Sequence, residues 1–325
     1  MKRRSFLVAG SGLLLPLPGW AQSGVTPRRI GFHSAGSSGS NAGWLDAFRG
    51  GMAQLGWKDG RDYVIDARFS DGQSEAVIRL ANELVATRPD VLLCPGDASA
   101  RALAAATKTI PIVFVLAADP VGNGVAKSLH RPGGNLTGLT SLSRDLSAKR
   151  LQLLKEAFPS VTHVALLYEP GEPSGVSQLR DTGDAAAQLK LRFSGLALRQ
   201  PADIGTAIDR GIASGADAYA VATGFMVAAE RRAVSSALLR AKVPTIAASA
   251  VLTEAGVMMS YGALQGQLFR QAAGYVDKIL NGAKPANLPI EQPTKFELVV
   301  NVKTARAIGV EIPSAVLLRA DRVIE

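Results

Sequence analysis

Apolar runs of strand length alternate with stretches of helical period along almost the entire chain, and that alternation constrains the fold more tightly than any other feature. Strands predicted at 30–34, 63–69, 90–94 and 112–116 are separated by helices at 43–55, 74–86 and 98–108. Within 74–86, Val77, Leu80, Ala81, Leu84 and Val85 recur on one side, as an amphipathic helix requires. Ile110-Pro111 sits where a proline opens a strand instead of interrupting one. A turn-rich segment, 119–135, follows. The alternation then resumes with strands at 136–140, 161–168, 192–198, 217–222 and 244–248, the first of them leading into a helix at 146–158. Repeated β-α-β units with right-handed crossovers build parallel sheets. The expected fold class is therefore α/β, with two doubly wound parallel-sheet lobes in tandem.

The C-terminal part is too small for a third core. It offers a strand at 257–261 and a helix with Leu264, Leu268, Ala272, Tyr275 and Ile279 on one face, stopped by Asn281-Gly282. One more strand at 296–302 and a short helix complete it. Such a remnant has to pack on the existing lobes, so the chain is expected to cross between them more than once and tie them by a hinge.

The chain opens Met1-Lys2-Arg3-Arg4-Ser5-Phe6-Leu7, runs apolar to about Leu17 and reaches Gly19-Trp20-Ala21. A basic start, an apolar run and a small-residue end form an export signal, expected to be cut after Ala21. Arg3-Arg4 followed by Phe6-Leu7 suits the twin-arginine route, and a general secretory signal suits it nearly as well. Gly10, Gly12 and Pro16 break the run, which also falls short of the roughly 20 apolar residues of a membrane span. About 300 residues remain, enough for two domains. The net charge of +9 includes Lys2, Arg3 and Arg4; the rest holds 33 basic against 27 acidic side chains, scattered and without a stripe. Nucleic-acid binding calls for a clustered patch or a recognised module, and none is present. Cys94, the single cysteine, excludes an internal disulfide and reads as a packed strand residue.

Few side chains are available for catalysis. His33, His130 and His163 are far apart, with no HExxH spacing, no Cys/His metal pattern and no G-x-S-x-G elbow. The loop 36–43 follows the first strand but lacks the G-x-G-x-x-G spacing of a nucleotide cradle. In open α/β sheets ligands sit beyond the carboxyl ends of the strands. From the first half those ends supply Ser34 and Ser37, Gly96, Asp97, Ala98 and Ser99, and Asp119; from the second, Ser141, Tyr168, Glu169, Thr223, Gly224, Ser249 and Tyr261. Hydroxyls and amides suit a ligand carboxylate, Asp97 or Glu169 an amine, and a tyrosine ring an apolar body. Taken singly, each serine or threonine reads first as a helix N-cap, and Asp119-Pro120 as the start of a turn.

Two long motifs add a resemblance. Asp119-Pro120-Val121-Gly122-x-Gly124 leads to Ser128-Leu129-x-Arg131-Pro132-Gly133-Gly134-Asn135-x-Thr137-Gly138, and Leu288-Pro289-Ile290-Glu291-Gln292-Pro293-Thr294-Lys295-Phe296 follows Ser260-Tyr261-Gly262 and the Tyr275 to Pro285 stretch. The sequence resembles the ABC-transporter substrate-binding protein family that includes tryptophan and other aromatic amino-acid binders. The resemblance implies a type I periplasmic-binding-protein fold with three crossings between lobes, a small-molecule ligand in the cleft and closure about the hinge. It also implies a periplasmic location, an ABC permease in the inner membrane as partner, and a monomer without cofactor, metal or catalytic residues. By analogy lobe one spans 28–136 plus 263–288 and lobe two 137–262 plus 289–325, after a signal peptide at 1–21. Many relatives carry Asp-Pro and Arg-Glu pairs where this chain has Thr223-Gly224-Phe225 and Ala250-Val251. The ligand therefore stays open between an amino acid and a less charged aromatic or carboxylate compound. Two rival readings are a transcription regulator with the same sensor lobes, which would need a DNA-binding helix pair ahead of them, and a doubly wound α/β enzyme acting on a small metabolite.

Overall fold

The computed structural model describes residues 26–142 and 145–325; the expected export signal at 1–21 lies outside them. The first sheet is built from β1 (Arg28–Ser34), β2 (Tyr63–Phe69), β3 (Val91–Pro95), β4 (Ile112–Ala117) and β5 (Leu136–Thr140). They lie in the order β2-β1-β3-β4-β5, all parallel. Between them run α1 (Ser38–Gln54), α2 (Ser74–Ala86) and α3 (Gly96–Ala106). β3 and β4 are apolar without alternation because helices cover both faces of the sheet. On one face Ile30, Phe32, Leu93 and Val113 pack with Phe48 and Met52 of α1. On the other, Leu92, Cys94 and Phe114 pack with Ala81 and Leu84 of α2 and Leu103 of α3.

After β5 the chain enters the second lobe as α4 (Ser147–Ala157). Next come β6 (His163–Tyr168), α5 (Pro173–Gln188), β7 (Arg192–Ala197), α6 (Asp203–Ala213), β8 (Ala218–Val221) and α7 (Phe225–Ala229). The run continues with α8 (Arg231–Ala241), β9 (Thr245–Ala247), α9 (Ala250–Ala255) and β10 (Met259–Ala263). The chain then returns to the first lobe as α10 (Gln265–Leu280), whose Phe269, Ala272, Ala273 and Val276 join the core beneath α1. It crosses back for β11 (Phe296–Asn301), α11 (Val302–Ala307), α12 (Ser314–Leu317) and β12 (Arg322–Ile324). The second sheet has the order β12-β11-β10-β9-β8-β6-β7. It is parallel except where β11 runs antiparallel to β10, a departure from the all-parallel expectation.

Three crossings thus join the lobes, after β5, after β10 and before β11. Two of them touch: the Thr140 N–H donates to Glu291 O at 2.9 Å and the Glu291 N–H to Gly138 O at 3.0 Å. The expected boundaries shift accordingly. β5 pairs with β4, so residues 137–140 belong to the first sheet and not to the second lobe. Ile290, placed in the second lobe by the family analogy, packs with Leu136 and Ala126 in the first. The sequence places β5 wrongly because a strand beginning a new run of alternation looks the same as one closing the old sheet. Among the described residues no helix is long and apolar enough to cross a membrane.

The return of α10 depends on close approach to α1. A methyl group at Gly51 would lie 2.5 Å from Arg270 O and 2.7 Å from Ala273 Cβ, so the two helices meet only because position 51 has no side chain. Gly51→Val should separate them and lower stability by about 1–3 kcal/mol, the usual cost of overpacking, as read by chemical denaturation. An unchanged unfolding midpoint would show that this contact does not hold the lobe together.

Candidate functional site

The carboxyl ends of both sheets open toward each other, and between them lies a cavity of about 70 Å³. The first lobe contributes Gly96 after β3, Leu116 of β4, Ser40 and Trp44 of α1 and Gln265 of α10. Ser141, just past β5, lies where the first crossing begins. The second contributes Glu172 and Ser174 beside β6, Ala222, Thr223, Gly224 and Phe225 after β8, and Ser249 and Val251 after β9. Leu116 reaches the cavity through an irregularity: the β4–β5 register shifts between Val115 and Ala117, and Leu116 adopts a left-handed φ of +65°. Backbone strain of this sort gathers where a side chain must be re-aimed.

Two aromatic rings wall the space. Trp44 stacks on Phe269 at 5.1 Å between centroids, with 7° between planes, which anchors it to the first core. Phe225 crosses from the second lobe into the first and packs against the core of α2 and α3. A methyl group at Gly96 would stand 2.7 Å from its ring and one at Gly36 3.3 Å, so only glycine at 96 leaves Phe225 its place. Position 96 also has φ +71°, which favours glycine on backbone grounds.

The electrostatics are one-sided. Among the described residues Glu172 is the only charged side chain lining the cavity, and it is 4% exposed. It precedes α5 but makes no capping bond to that helix. Its carboxyl instead accepts the N–H of Ala98 at the start of α3, across the lobe boundary, and the Ser174 hydroxyl at 3.3 Å. Burial, and then the charges of Asp97 and Glu169, push Glu172 from its ordinary 4.5 up to about 8. Asp97 and Glu169 are themselves raised by burial. The Glu169 carboxylate accepts the Val227 N–H at 2.7 Å, capping the start of α7. A second interlobe bond joins the Ser249 hydroxyl to Gln265 Oε1 at 3.3 Å.

A family description, ABC transporter substrate binding protein, matches residues 40–324. The chain belongs to that family. This substrate-binding protein is 26% identical over 265 residues to a tyrosine-binding protein of Clostridioides difficile, covering 81% of this chain and 76% of that one. A conserved domain protein from Vibrio cholerae is 30% identical with a TM-score of 0.86, over 91% of this chain and 99% of that chain. An ABC domain in complex with L-Trp from Streptococcus pneumonia is 27% identical with a TM-score of 0.85, over 92% and 100%.

Of the residues expected from sequence, the substrate-binding protein places Gly96, Ser141, Thr223, Gly224 and Ser249 on the cavity. Ala98 and Glu169 line a separate outer groove of about 630 Å³, which Glu172 and Phe225 divide from the cavity. The other seven line neither. Ser34 accepts the Gly36 N–H at 3.0 Å, Ser37 caps α1, and Ser99 accepts the Ala35 N–H at 3.1 Å. Asp97 accepts the Ala118 N–H at 2.9 Å and Asp119 the Gly122 N–H at 2.7 Å. Tyr168 and Tyr261 pack on the second core, and the Tyr261 ring lies 6.1 Å from that of Phe296. These seven shape loops and cores, and the aromatic wall expected from tyrosine comes from Trp44 and Phe225. The sequence reading missed Ser40, Trp44, Glu172, Ser174, Phe225 and Gln265. Glu172 and Phe225 each lie within three residues of a chosen position, so reading further along the same loops would have found them.

His33 is buried, with Nε2 on Val77 O at 2.9 Å, and burial lowers it to about 4. Burial raises the Cys94 thiol far above its ordinary range. Among the described residues no group of three His, Cys, Asp or Glu side chains could hold a metal ion.

Because Glu172 is raised in the folded state, that state holds a proton the unfolded chain has lost between pH 4.5 and about 8. Its contribution is full below 4.5 and lost as pH rises through about 8. The ligand-free melting temperature should therefore decline over that window, and Glu172→Gln should flatten the decline. Identical pH profiles for the two proteins would contradict the placement of this carboxyl.

Proposed function

We propose that the chain is the exported receptor of an ABC importer and holds a small aromatic, amino-acid-like solute between its lobes. One observation carries this reading: the cavity between the lobes is built from the strand ends of both sheets and walled by Trp44 from one lobe and Phe225 from the other. The tyrosine-binding relative and the domain in complex with L-Trp support an aromatic solute. Ser141, Thr223 and Ser249 supply hydroxyls around it. The cavity is smaller than drug-sized pockets, so a guest enters only when the lobes part and Phe225 withdraws from Gly96.

Motion of that kind is hinge closure about the three crossings. The solute favours the closed form only to the extent that it binds that form better. The closed face is then what a membrane permease recognises. In this reading the protein works as a monomer in the periplasm, after removal of 1–21, without cofactor or catalysis. Its first lobe runs through Thr140 and includes α10 and the segment to about 291.

A thermal-shift screen of L-tyrosine, L-tryptophan, L-phenylalanine and their aromatic-acid analogues tests the reading. A ligand at a hundred times its Kd should add about 2.7 kcal/mol of stability. The bound compound should be recovered unaltered, whereas an enzyme would leave product. Trp44→Ala should weaken the best ligand about tenfold or more, roughly 1.4 kcal/mol, by calorimetry. Equal affinity in the variant would sink the aromatic wall.

A further inference from the structure

We propose that Glu172 is the specificity-determining residue of the cleft, its carboxyl receiving a cationic amino group of the ligand. The inference rests on the reading of the cleft as a solute site and adds which chemical group is selected. Three observations carry it. Among the described residues Glu172 is the only charged one on the interlobe cavity, and no Lys, Arg or His lines that space. It is 4% exposed yet faces both the cavity and the outer groove, so it stands at the boundary where a guest is sealed in. Its partners are two donors, the Ala98 N–H and the Ser174 hydroxyl, and neither carries a full charge that would neutralise it.

The surrounding groups make a cation the complementary guest. Asp97 at the start of α3 and Glu169 before α5 repel a charge on Glu172. Asp119 repels one on Asp97 in turn. Arg101 of α3 and Arg199 beyond β7 line only the outer groove and are exposed, where solvent screens them. The buried Arg150 guanidinium bonds Tyr261 O at 2.8 Å and Gln178 Oε1 at 3.5 Å and lines neither space. A ligand carboxylate placed beside Glu172 would add a fourth acidic group, whereas an ammonium group supplies the missing counter-charge.

A coupling to protons follows. In the closed cleft Glu172 sits at about 8 and is mostly protonated at pH 7. An ammonium group seated against it favours the carboxylate, so the proton leaves to solvent as the ligand arrives and the Glu172 charge balances that of the ammonium. By linkage, affinity should then rise close to tenfold per pH unit below about 8 and level off above it.

Calorimetric titration of the full chain at pH 7, in buffers of different ionisation enthalpy, tests this directly. The probes are L-tyrosine, tyramine, which lacks the carboxylate, and 3-(4-hydroxyphenyl)propionate, which lacks the amine. Binding of L-tyrosine or tyramine should release close to one proton. In Glu172→Gln, where the amide oxygen can still accept the Ala98 N–H, release should vanish, affinity should fall at least tenfold and its pH dependence should disappear. Amine binding without proton release in the parent protein, or release retained in the variant, would overturn the assignment. Binding of the propionate alone would also overturn it while leaving the cleft reading intact. If none of the three binds, this assignment falls, while the cleft reading stands or falls on the wider screen of aromatic solutes.

Discussion

A parallel sheet covered by helices on both faces has only its strand ends left for contact with other molecules. Both sheets here are of that kind over their central strands, and three chain crossings hold their carboxyl ends opposed. Loops that would otherwise lie on two separate surfaces become the walls of one space. Ser141 is there because β5 ends at the first crossing, and Gln265 because the second crossing delivers the start of α10. The hinge and the cavity are therefore consequences of one topology.

Closure puts side chains of one lobe among backbone groups of the other. Phe225 fills the hollow that Gly96 and Gly36 leave, and Glu172 takes the amide at the start of α3. Helix amides facing a carboxyl favour it, while burial and the neighbouring Asp97 and Glu169 oppose its charge. Glu169 and Asp97 are held by backbone N–H groups and work inside the protein. Among the described residues Glu172 has Ala98 and Ser174, and of the three it is the one that lines the cavity. Three acidic residues in one neighbourhood thus separate into two bonded within their loops and one that lines the cavity.

Much of the secondary structure was legible from residue pattern. Strands 63–69 and 136–140 and the helix 74–86 have the predicted limits. α1 begins at Ser38 instead of 43, because Ser37 and Ser40 form a reciprocal cap that holds a Gly-rich turn helical. The last strand of the first alternation was misassigned, since local pattern carries no information about which sheet a strand joins. The site was half legible. Strand ends supply residues that line the cavity, such as Gly96 and Ser141, but the hydroxyls of Ser34, Ser37 and Ser99 accept backbone N–H groups, a role of the kind that reads first for such residues taken singly.

Periodicity and turn chemistry, both local properties, were sufficient by themselves to determine an α/β chain of two lobes with a shared C-terminal segment. The long motifs around Asp119 and Glu291 were sufficient to point to its family. Only the tertiary structure decided that Trp44 and Phe225 line the cavity, that Tyr261 belongs to the core behind it, and that Glu172 is, among the described residues, the lone charged side chain on it. Those outcomes depend on how two lobes approach through space, and residues more than a hundred positions apart have no local signal for that approach.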